Sequence, residues 1–430
     1  MKTMLHGFRN HHQSEALSNT LPIGQNAPQK VAHGLYAEQL SGSAFTCPRM
    51  HNLHSWLYRI RPSVVCGNTV PHARHVLFSA EDFNFALPPI PMRWSPLSYH
   101  EHKKTDFIEG LMPVGMSGAF TDPAAAAYLY EIQHASKETF FCNADGEFLW
   151  IPQEGELTLE TEFGALSIKP GDIGLIPRGV KFRIQLHSSK ARGYLCENYK
   201  TPFMLPELGP IGSNGLANTR DFIIPSAHYE DLTGEFQLIT KYQQRLWLTE
   251  MKHSPLDVVA WHGNYTPCQY DLKHFNTINT VSFDHPDPSI FTVLTSPSDT
   301  LGVANLDFVI FPERWMVAEH TFRPPYFHRN IMSELMGLIY GQYDAKEEGF
   351  EPGGISLHNC MTPHGPDAFA FDKASHQDLK PQYYHGTLAF MLETRQVWHV
   401  PHHWFNHAAR QLNYPECWQT LERNFNLNKA

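Results

Sequence analysis

The chain has 430 residues, of which 42% are hydrophobic and 18% charged, so it can bury a sizeable interior and is not a disordered polypeptide. Its formal net charge of −10, without a long basic run, excludes nucleic acid as an expected partner, since phosphate binding requires concentrated Lys and Arg. The length exceeds one ordinary core, and 32 Pro with 28 Gly favour a β-rich fold with many turns.

Cysteine usage and hydropathy bear on the cellular compartment. The seven cysteines are scattered, odd in number and without a CxxC pair, which predicts reduced thiols in the cytoplasm and no disulfide framework. Residues 1–20 contain no apolar stretch suited to a signal peptide, and no run of about 18 apolar residues occurs, so we expect neither secretion nor a membrane span.

Residues 1–135 lack helical periodicity and are rich in Pro and aromatic side chains. This composition predicts strands and loops laid over a core. Within this region, residues 64–97 (VVCGNTVPHARHVLFSAEDFNFALPPIPMRWSPL) are predicted to form one long loop excursion.

Residues 139–190 contain short apolar runs separated by Gly, Pro and Asp, namely FLWIP, LTLET, LSI, IGLIP and FRIQL. Such runs predict consecutive antiparallel strands, arranged as a meander that closes into a small barrel or jelly roll. The segment PGDIGLIPRGVKF resembles the second half of a cupin barrel, where the second strand often ends in a metal-binding histidine. Here Lys181 and Phe182 occupy that end, which predicts a metal-free, structural barrel.

Further strands are predicted after a turn-dense region at 205–275. The runs TVSFD, SIFTVLT, FVIFP and RWMVA between residues 280 and 320, and later TLAFMLET, read as strands, whereas QTLERNFN near the end predicts a short helix. We expect a mainly β protein of cupin-like double-stranded β-helix (jelly-roll) barrels. The predicted halves are a metal-free N-terminal β domain (1–274) and a C-terminal cupin domain (275–430).

The segment HRNIMSE, residues 328–334, places a histidine and a carboxylate in loop-like sequence. His328 and Glu334 would lie roughly 20 Å apart on a strand and some 120° apart on a helix, so they can meet only where the chain bends between them. Glu334 is followed by six residues and Gly341, an E-x6-G pattern of the first cupin motif. Downstream, PGG precedes His358 in an arrangement close to the second cupin motif.

His364 follows in the turn-like segment TPHGPD. If a barrel brings His328, Glu334 and His364 to one mouth, two imidazoles and one carboxylate form a facial triad with open positions, which suits non-haem Fe(II) and oxygen chemistry. Spacing alone equally allows these histidines to be turn or core residues held by hydrogen bonds. The same alternative applies to His285, Tyr343 and His358.

Other histidine groups are less informative. PHHWFNH (His402, His403, His407) would place two histidines on one helical face, but no carboxylate follows at useful spacing, so a surface or interface role is expected. His51 and His54 in HNLH are interpreted in the same way. No HExxH, Walker, GxSxG or Rossmann glycine pattern occurs, which excludes the commonest protease, nucleotide-binding and hydrolase classes.

Long segments of the chain resemble the homogentisate 1,2-dioxygenase family. They include PPYFHRNIMSELMGLIYGQYDAKEEGFEPGGISLHNCMTPHGPD, LPIGQNAPQ, GLYAEQLSGSAFTCPR, VVAWHGNYTP and FDHPDPSIFTVLT, and the likeness covers nearly the whole chain. The resemblance implies Fe(II)-dependent cleavage of the homogentisate ring with O2 to 4-maleylacetoacetate, in phenylalanine and tyrosine catabolism. It also implies a homo-hexamer built as a dimer of trimers.

The resemblance assigns roles residue by residue. It places the Fe(II) ligands at His328, Glu334 and His364 and the proton acceptor at His285. It places the substrate contacts at Tyr343, His358 and, again, His364. The anchor of the substrate acetate group stays open among Arg329, Lys346 and Tyr326. Residues 1–15 and the tail from about 393 depart from the family pattern, which puts oligomer contacts in doubt more than chemistry.

Three rival functions stay open at this point. The first is a related ring-cleaving cupin acting on gentisate or another hydroquinone, which differs only in pocket shape. The second is a non-catalytic binding or storage cupin, against which the complete His/Glu/His set argues. The third is a zinc isomerase of cupin type.

Overall fold

The computed structural model describes residues 4–99, 105–282, 291–346 and 348–427. Within these residues the protein is mainly β, as the sequence predicts. The strands up to residue 145 are β1 (Leu5–His6), β2 (His12–Glu15), β3 (Tyr36–Ser41), β4 (His54–Arg59), β5 (Thr69–Val76), β6 (Met92–Trp94), β7 (Leu111–Ala119), β8 (Asp122–Ile132) and β9 (Thr139–Asn143).

The strands between residues 145 and 280 are β10 (Glu147–Glu154), β11 (Leu157–Thr161), β12 (Gly164–Ile168), β13 (Asp172–Ile176), β14 (Lys181–Leu186), β15 (Ala191–Asn198), β16 (Gly215–Leu216), β17 (Ile223–Ile224), β18 (Thr233–Tyr242), β19 (Arg245–His253), β20 (Val258–Gly263), β21 (Cys268–Asp271) and β22 (Asn276–Thr277). The later strands are β23 (Thr292–Pro297), β24 (Ala304–Phe311), β25 (Arg314–Met316), β26 (Ser333–Tyr340), β27 (Ile355–His358), β28 (Gln382–Tyr384), β29 (Leu388–Thr394) and β30 (Trp398–His399).

Helices are short. The α-helices are α1 (Pro210–Asn214), α2 (Ala368–His376) and α3 (His402–Phe405), and the 3-10 helices are Ala32–Gly34, Arg49–His51, Ala80–Phe83, Thr219–Asp221, Leu272–His274 and Tyr414–Trp418. In the described part of the chain, no helix has the length and apolar character required to cross a bilayer.

The N-terminal barrel is a jelly roll of two facing sheets. One has the order β1-β17-β21-β13-β10-β15-β8-β7-β30 and the other β12-β11-β14-β9-β18-β19-β5. All five strands predicted between residues 139 and 190 form, as β10 to β14. The predicted meander is wrong, because of these only β11 and β12 pair with each other as sequence neighbours. The chain crosses between the sheets instead, so that each strand turns its apolar side to the space between them.

Aromatic side chains fill this barrel. Phe182 is fully buried and lies with ring centroids 5.7 Å from Phe141 and 6.0 Å from Trp150. The neighbouring Lys181 turns away and its Nζ donates to Ser63 Oγ at 2.6 Å. The position at which a cupin often carries a metal-binding histidine therefore holds part of an apolar core. That this half binds no metal stays a prediction.

The predicted loop at 64–97 is wrong in part. It contains the eight-residue strand β5, which forms an edge of the seven-stranded sheet by pairing with β19, and the short strand β6. A strand at the edge of a sheet can be polar and can contain proline. The sequence TVPHARHV has both properties and therefore lacks the apolar pattern by which a strand is predicted.

The C-terminal sheet has the order β23-β24-β29-β26-β27-β6. Strands form within SIFTVLT, FVIFP, RWMVA and TLAFMLET as predicted, as β23, β24, β25 and β29. Residues 280–282 of TVSFD are not a strand, and its last two residues lie outside the described part. The helix predicted at QTLERNFN is wrong, because that segment buries no apolar face and the 3-10 helix Tyr414–Trp418 ends before it.

The two predicted halves exchange strands. β6, from the N-terminal half, pairs with β27 at the edge of the C-terminal sheet, and β30 pairs with β7 of the nine-stranded sheet. One large apolar core includes buried residues from both sides of residue 274. The domain division at 274/275 stays a prediction.

Candidate active site

Strand β26 carries Glu334 into the interior. It is hydrogen-bonded on both sides, to β27 and β29, and the register places Glu334 opposite His358 on one side and Glu393 on the other. The side chain of Glu334 is buried. A carboxylate in this setting has a fixed position, but it requires compensating partners, since an isolated buried charge is strongly disfavoured.

Two histidines reach Glu334 through an isolated antiparallel bridge. The backbone N–H of His328 donates to the His364 carbonyl at 2.9 Å, and the N–H of His364 donates to the His328 carbonyl at 3.1 Å. The chain bends between His328 and Glu334 at Asn330, whose Oδ1 accepts from the Met332 N–H at 3.0 Å. The bend at Asn330 and the bridge to His364 therefore bring His328 close to Glu334, although a continuous strand or helix would hold these two residues apart.

The donor atoms converge. His364 Nε2 lies 2.9 Å from Glu334 Oε2, and His328 Nε2 lies 3.6 Å from Glu334 Oε1. One ligand atom from each of the three residues lies within 4.8 Å of the other two. No other group of three or more potential ligands of this kind is found among the described residues.

The other ring nitrogens set the tautomers. His328 Nδ1 lies 2.7 Å from the Tyr326 carbonyl oxygen, and His364 Nδ1 lies 2.9 Å from the Thr362 carbonyl oxygen. Because a carbonyl can only accept, each Nδ1 carries a hydrogen, and Nε2 is the nitrogen of each ring that would bind a metal ion once any proton on it is released. Backbone carbonyls orient metal-binding histidines in this way.

The charges at the site favour a cation. Burial by itself would raise the pKa of Glu334, but its contacts with His328 and His364 outweigh this and hold the pKa well below the usual range. Burial likewise opposes charge on His328, but contact with Glu334 outweighs it and the pKa is raised. A permanently ionised carboxylate beside two imidazoles attracts a proton or, in its place, a divalent metal ion.

The donor set itself fits a catalytic metal. Two imidazoles and one carboxylate leave coordination positions open, which is the pattern of mononuclear non-haem iron oxygenases. His328, Glu334 and His364, predicted from the sequence as one ligand set, are therefore brought together by the fold in a geometry that can hold such an ion.

His358 lies against this group. Its ring stacks on that of His364 with centroids 4.1 Å apart and planes at 10°, and its Nδ1 lies 3.9 Å from Glu334 Oε2. Burial, followed by the nearby His364, lowers the pKa of His358 well below its ordinary value, so this imidazole is neutral at physiological pH. His358, the predicted pocket histidine, therefore lies beside the candidate metal-binding group of His328, Glu334 and His364.

Tyr343 is buried in an apolar cluster beside β26. Its ring packs edge-on against Phe311 and Phe350, at centroid distances of 5.2 and 6.2 Å. Burial raises the pKa of Tyr343 well above its ordinary value, so the phenol stays protonated and can donate a hydrogen bond. His285, the predicted proton acceptor, lies outside the described residues.

The three candidates for the acetate anchor differ in setting. Arg329 and Tyr326 are exposed. Lys346 is buried, and its Nζ donates to the Gly365 carbonyl at 2.7 Å and lies 4.2 Å from the Trp418 ring centroid. Burial lowers the pKa of Lys346 to about 8. Lys346 therefore supports the loop that carries His364, and an anchoring role for any of the three stays a prediction.

The C-terminal histidines do not join the site. Helix α3 ends at Phe405, before His407, so His403 and His407 do not lie on one helix. His402 and His403 are exposed, in agreement with the expected surface position.

Family models decide the relationship. A model described as homogentisate 1,2-dioxygenase N-terminal matches residues 3–272, and one described as homogentisate 1,2-dioxygenase C-terminal matches residues 273–425. The chain belongs to the homogentisate 1,2-dioxygenase family. The segments that were expected to depart from the family pattern, residues 1–15 and the tail from 393, fall almost entirely inside these matches.

Curated relatives agree with this assignment. Homogentisate 1,2-dioxygenase of Legionella pneumophila (strain Lens) is 56% identical over 98% of this chain and 99% of its own length. The enzyme of Nitrobacter hamburgensis is 55% identical over 97% of this chain and 94% of its own. Membership in this family confirms that the chain is a dioxygenase, and it contradicts the storage-protein and zinc-isomerase interpretations.

Comparison with solved structures gives low similarity. The protein Ylba from E. coli is 9% identical over 72% of this chain and 92% of its own, with a TM-score of 0.32. A deletion mutant of the Bacillus subtilis oxalate decarboxylase OxdC is 9% identical over 74% of this chain and 80% of its own, with a TM-score of 0.27. The predicted mainly β, cupin-like fold is confirmed for this family member by its family match and jelly-roll sheets.

Sequence reasoning missed two contributors to the site. Asn330 Nδ2 donates to Glu334 Oε1 at 3.1 Å and to Glu393 Oε1 at 2.6 Å, and so bridges two buried carboxylates. Tyr414, in the tail that was expected to depart from the family pattern, lies with its hydroxyl 3.0 Å from His358 Nε2. Asn330 could have been found from its position between His328 and Glu334 in HRNIMSE. No local sequence pattern points to Tyr414.

Proposed function

We propose that the protein cleaves the aromatic ring of homogentisate with O2 to give 4-maleylacetoacetate, with Fe(II) held by His328, Glu334 and His364. The observation that carries the proposal is the convergence of the two Nε2 atoms and one carboxylate within 4.8 Å. Family membership supports homogentisate as the substrate. The reaction would belong to the breakdown of phenylalanine and tyrosine.

Fe(II) would supply positions at which the substrate hydroxyl and O2 bind together and exchange electrons. The protein's part is to hold that ion with Nε2 of His328 and His364 and an oxygen of Glu334. The carbonyls of Tyr326 and Thr362 keep both rings in the ligating tautomer. The permanently ionised Glu334 offsets part of the metal charge.

His285 is proposed as the base that takes the proton from the substrate hydroxyl. An imidazole has an ordinary pKa close to neutrality and can take up and release a proton at physiological pH. The family resemblance of the segment FDHPDPS is the sole support for this role.

Tyr343 and His358 are proposed as substrate contacts, together with His364. Both side chains are buried and neutral, which suits hydrogen bonds to phenolic oxygens without an uncompensated charge. The acetate group of the substrate requires a cation or several donors. Arg329, Lys346 and Tyr326 stay as the candidates.

The wider setting is also part of the proposal. We propose a cytoplasmic homo-hexamer, a dimer of trimers, whose partners are homogentisate and O2, not nucleic acid or a membrane. Within each chain, residues 1–274 form a metal-free cupin-like half, and residues 275–430 carry the iron.

The test is anaerobic reconstitution with Fe(II), followed by O2 uptake with homogentisate and with gentisate side by side. The expected result is one O2 consumed per homogentisate, a product with the absorption of maleylacetoacetate, and no uptake with gentisate. Uptake with gentisate alone would keep the metal site and overturn the substrate. As a control, Zn(II) should occupy the site without restoring turnover, since zinc has no accessible redox change.

A further inference from the structure

The C-terminal tail reaches the metal-binding group through Tyr414. This residue is fully buried in the 3-10 helix Tyr414–Trp418, and its hydroxyl lies 3.0 Å from His358 Nε2. Ser356 Oγ lies 3.1 Å from the same nitrogen. Two hydroxyls therefore meet one ring nitrogen, on the side of His358 that faces away from Glu334.

The other nitrogen of His358 faces Glu334. Nδ1 is buried, has no hydrogen-bond partner among the described residues, and lies 3.9 Å from Glu334 Oε2. A lone pair on Nδ1 would point toward the negative carboxylate, whereas an N–H there is attracted to it. A neutral imidazole with its hydrogen on Nδ1 has its lone pair on Nε2, which must then accept from a hydroxyl.

Tyr414 is held in place for this contact. The Arg93 guanidinium lies 4.2 Å from its ring centroid, and Lys346 Nζ lies 5.4 Å away on the ring face. Arg93 in turn donates from Nε to Gln411 Oε1 at 2.6 Å. Between the two hydroxyls, the phenol is the more acidic and therefore the stronger hydrogen-bond donor.

We infer that Tyr414 is a positioning residue, whose hydroxyl donates to His358 Nε2 and so presents the Nδ1–H of His358 to the metal-binding group. This N–H is available to Glu334 or to an oxygen atom of a bound hydroxyaromatic ligand. The inference rests on the proposed function for its effect on turnover, but the hydrogen bond itself does not depend on the substrate.

The test is a double-mutant cycle with Tyr414→Phe and His358→Asn. Tyr414→Phe retains the ring that Arg93 contacts and removes the hydroxyl. We expect kcat for homogentisate to fall about tenfold with full metal content, and KM to change less than about threefold. In the His358→Asn protein, the added Tyr414→Phe change should alter kcat by less than about twofold. Equal losses in both backgrounds would overturn the inference.

The matched control is Tyr265→Phe. It makes the same chemical change in the N-terminal half, where it removes a buried hydroxyl that donates to the Arg178 carbonyl at 3.1 Å. We expect kcat within about twofold of the unaltered protein. A tenfold loss here would mean that kcat responds to the loss of any buried tyrosine hydroxyl, which contradicts a specific role for the Tyr414 hydroxyl.

A second readout needs neither iron nor substrate. The thermal unfolding midpoint of the metal-free protein is measured for the same four members of the cycle. We expect Tyr414→Phe to lower the midpoint in the unaltered protein and to leave it unchanged in the His358→Asn protein. If homogentisate is not turned over, the proposed function fails, but this coupling is still measurable. Additive midpoint shifts, or a Tyr414→Phe protein that does not fold, would overturn the positioning role.

Discussion

At the scale of single residues, the site depends on which atom of each side chain already makes a hydrogen bond within the protein and which atom stays available for a metal ion. The Tyr326 and Thr362 carbonyls occupy Nδ1 of His328 and His364, and this leaves both Nε2 atoms for a metal. Asn330 performs the corresponding task for the carboxylate, because its amide fixes Glu334 Oε1. Each candidate ligand is thus held in a fixed orientation by contacts within the protein itself.

Asn330→Ala should weaken metal binding. The change leaves Glu334 and Glu393 without their common donor, and the loss of such outer contacts typically costs about 10- to 100-fold in metal affinity. A competitive titration with Fe(II) or Co(II) under argon measures it. Asn264→Ala is the control, since the Asn264 amide hydrogen-bonds the backbone of His54 and of Asn52 and neither Glu334 nor Glu393. An unchanged dissociation constant in Asn330→Ala would contradict the role.

His285→Ala should bind iron normally and turn over slowly, because the proposed base is lost while the three ligands remain. Iron content and O2 uptake at neutral pH are measured on the same preparation. Added imidazole should restore part of the rate if a base is missing. Turnover equal to that of the unaltered protein would remove His285 as the proton acceptor.

At the scale of elements, strand β26 must end where Gly341 stands. Its φ is +78°, and a Cβ there would lie 2.2 Å from the Gly386 carbonyl oxygen and 2.6 Å from Thr387 Cα. Both the left-handed backbone and the close approach of the next strand therefore require glycine. This gives the E-x6-G pattern a physical reason.

Gly341→Ala should destabilise the protein by about 2–4 kcal/mol, the sum of a backbone cost and a clash. Gly386→Ala is a matched control, since its φ is +71° but a Cβ at this position would meet nothing within 4 Å, so it measures the backbone cost by itself. Urea unfolding of both variants gives the difference. Equal losses of unfolding free energy in the two variants would show that the close approach of Gly386 and Thr387 to position 341 does not contribute to the cost of Gly341→Ala.

Asp307, in β24, makes stability depend on pH. Burial raises its pKa from 3.8 to about 6, against a smaller opposite effect of a hydrogen bond with Thr295. The folded protein therefore holds this proton more tightly than the unfolded chain, so the stabilisation is complete below about pH 4 and is lost as pH rises through 6. The rise corresponds to about 3 kcal/mol.

Asp307→Asn should accordingly stabilise the protein at pH 7.5 and lose this advantage by about pH 4. Unfolding midpoints across this range measure the effect, with the exposed Asp378→Asn as control. A constant difference between Asp307→Asn and the unaltered protein at all pH values would contradict the titration of Asp307.

At the scale of the whole molecule, the sheet that carries the candidate metal site depends on the N-terminal half. β6 supplies its edge strand beside β27, and Trp94 in β6 donates from Nε1 to the Trp404 carbonyl at 3.0 Å. The hydroxyl of Tyr194, in the N-terminal barrel, shares its one hydrogen between the Gly354 carbonyl at 2.8 Å and the Leu338 carbonyl at 3.1 Å. Separation would expose these buried groups to water.

Residues 275–430 produced alone should therefore neither unfold cooperatively nor bind Co(II). Co-production with residues 1–274 should restore both properties, because β6 and Tyr194 return. Calorimetry and the visible absorption of Co(II) are the measurements. A separate C-terminal half that folds and binds metal would show that the strand exchange is dispensable.

Local patterns predicted the central strands well. Apolar runs between turn residues located β10 to β14 and β29, because a buried strand must be apolar and its ends must turn. The same reasoning failed for β5, an edge strand of polar composition, and for the tail helix, where charged helix formers had no surface to pack against. Pairing across sheets was also missed, since hydrogen-bond partners come from distant segments.

The sequence by itself determined the β-rich composition, the turns and, through long family motifs, which three residues are the candidate metal ligands. The tertiary structure alone decided how they meet, because the His328–His364 bridge, the β26 register and the Nδ1 contacts join positions far apart in the chain. It also brought Tyr414 to His358 across 56 positions. No local pattern encodes such contacts, since they arise only when separate elements pack together.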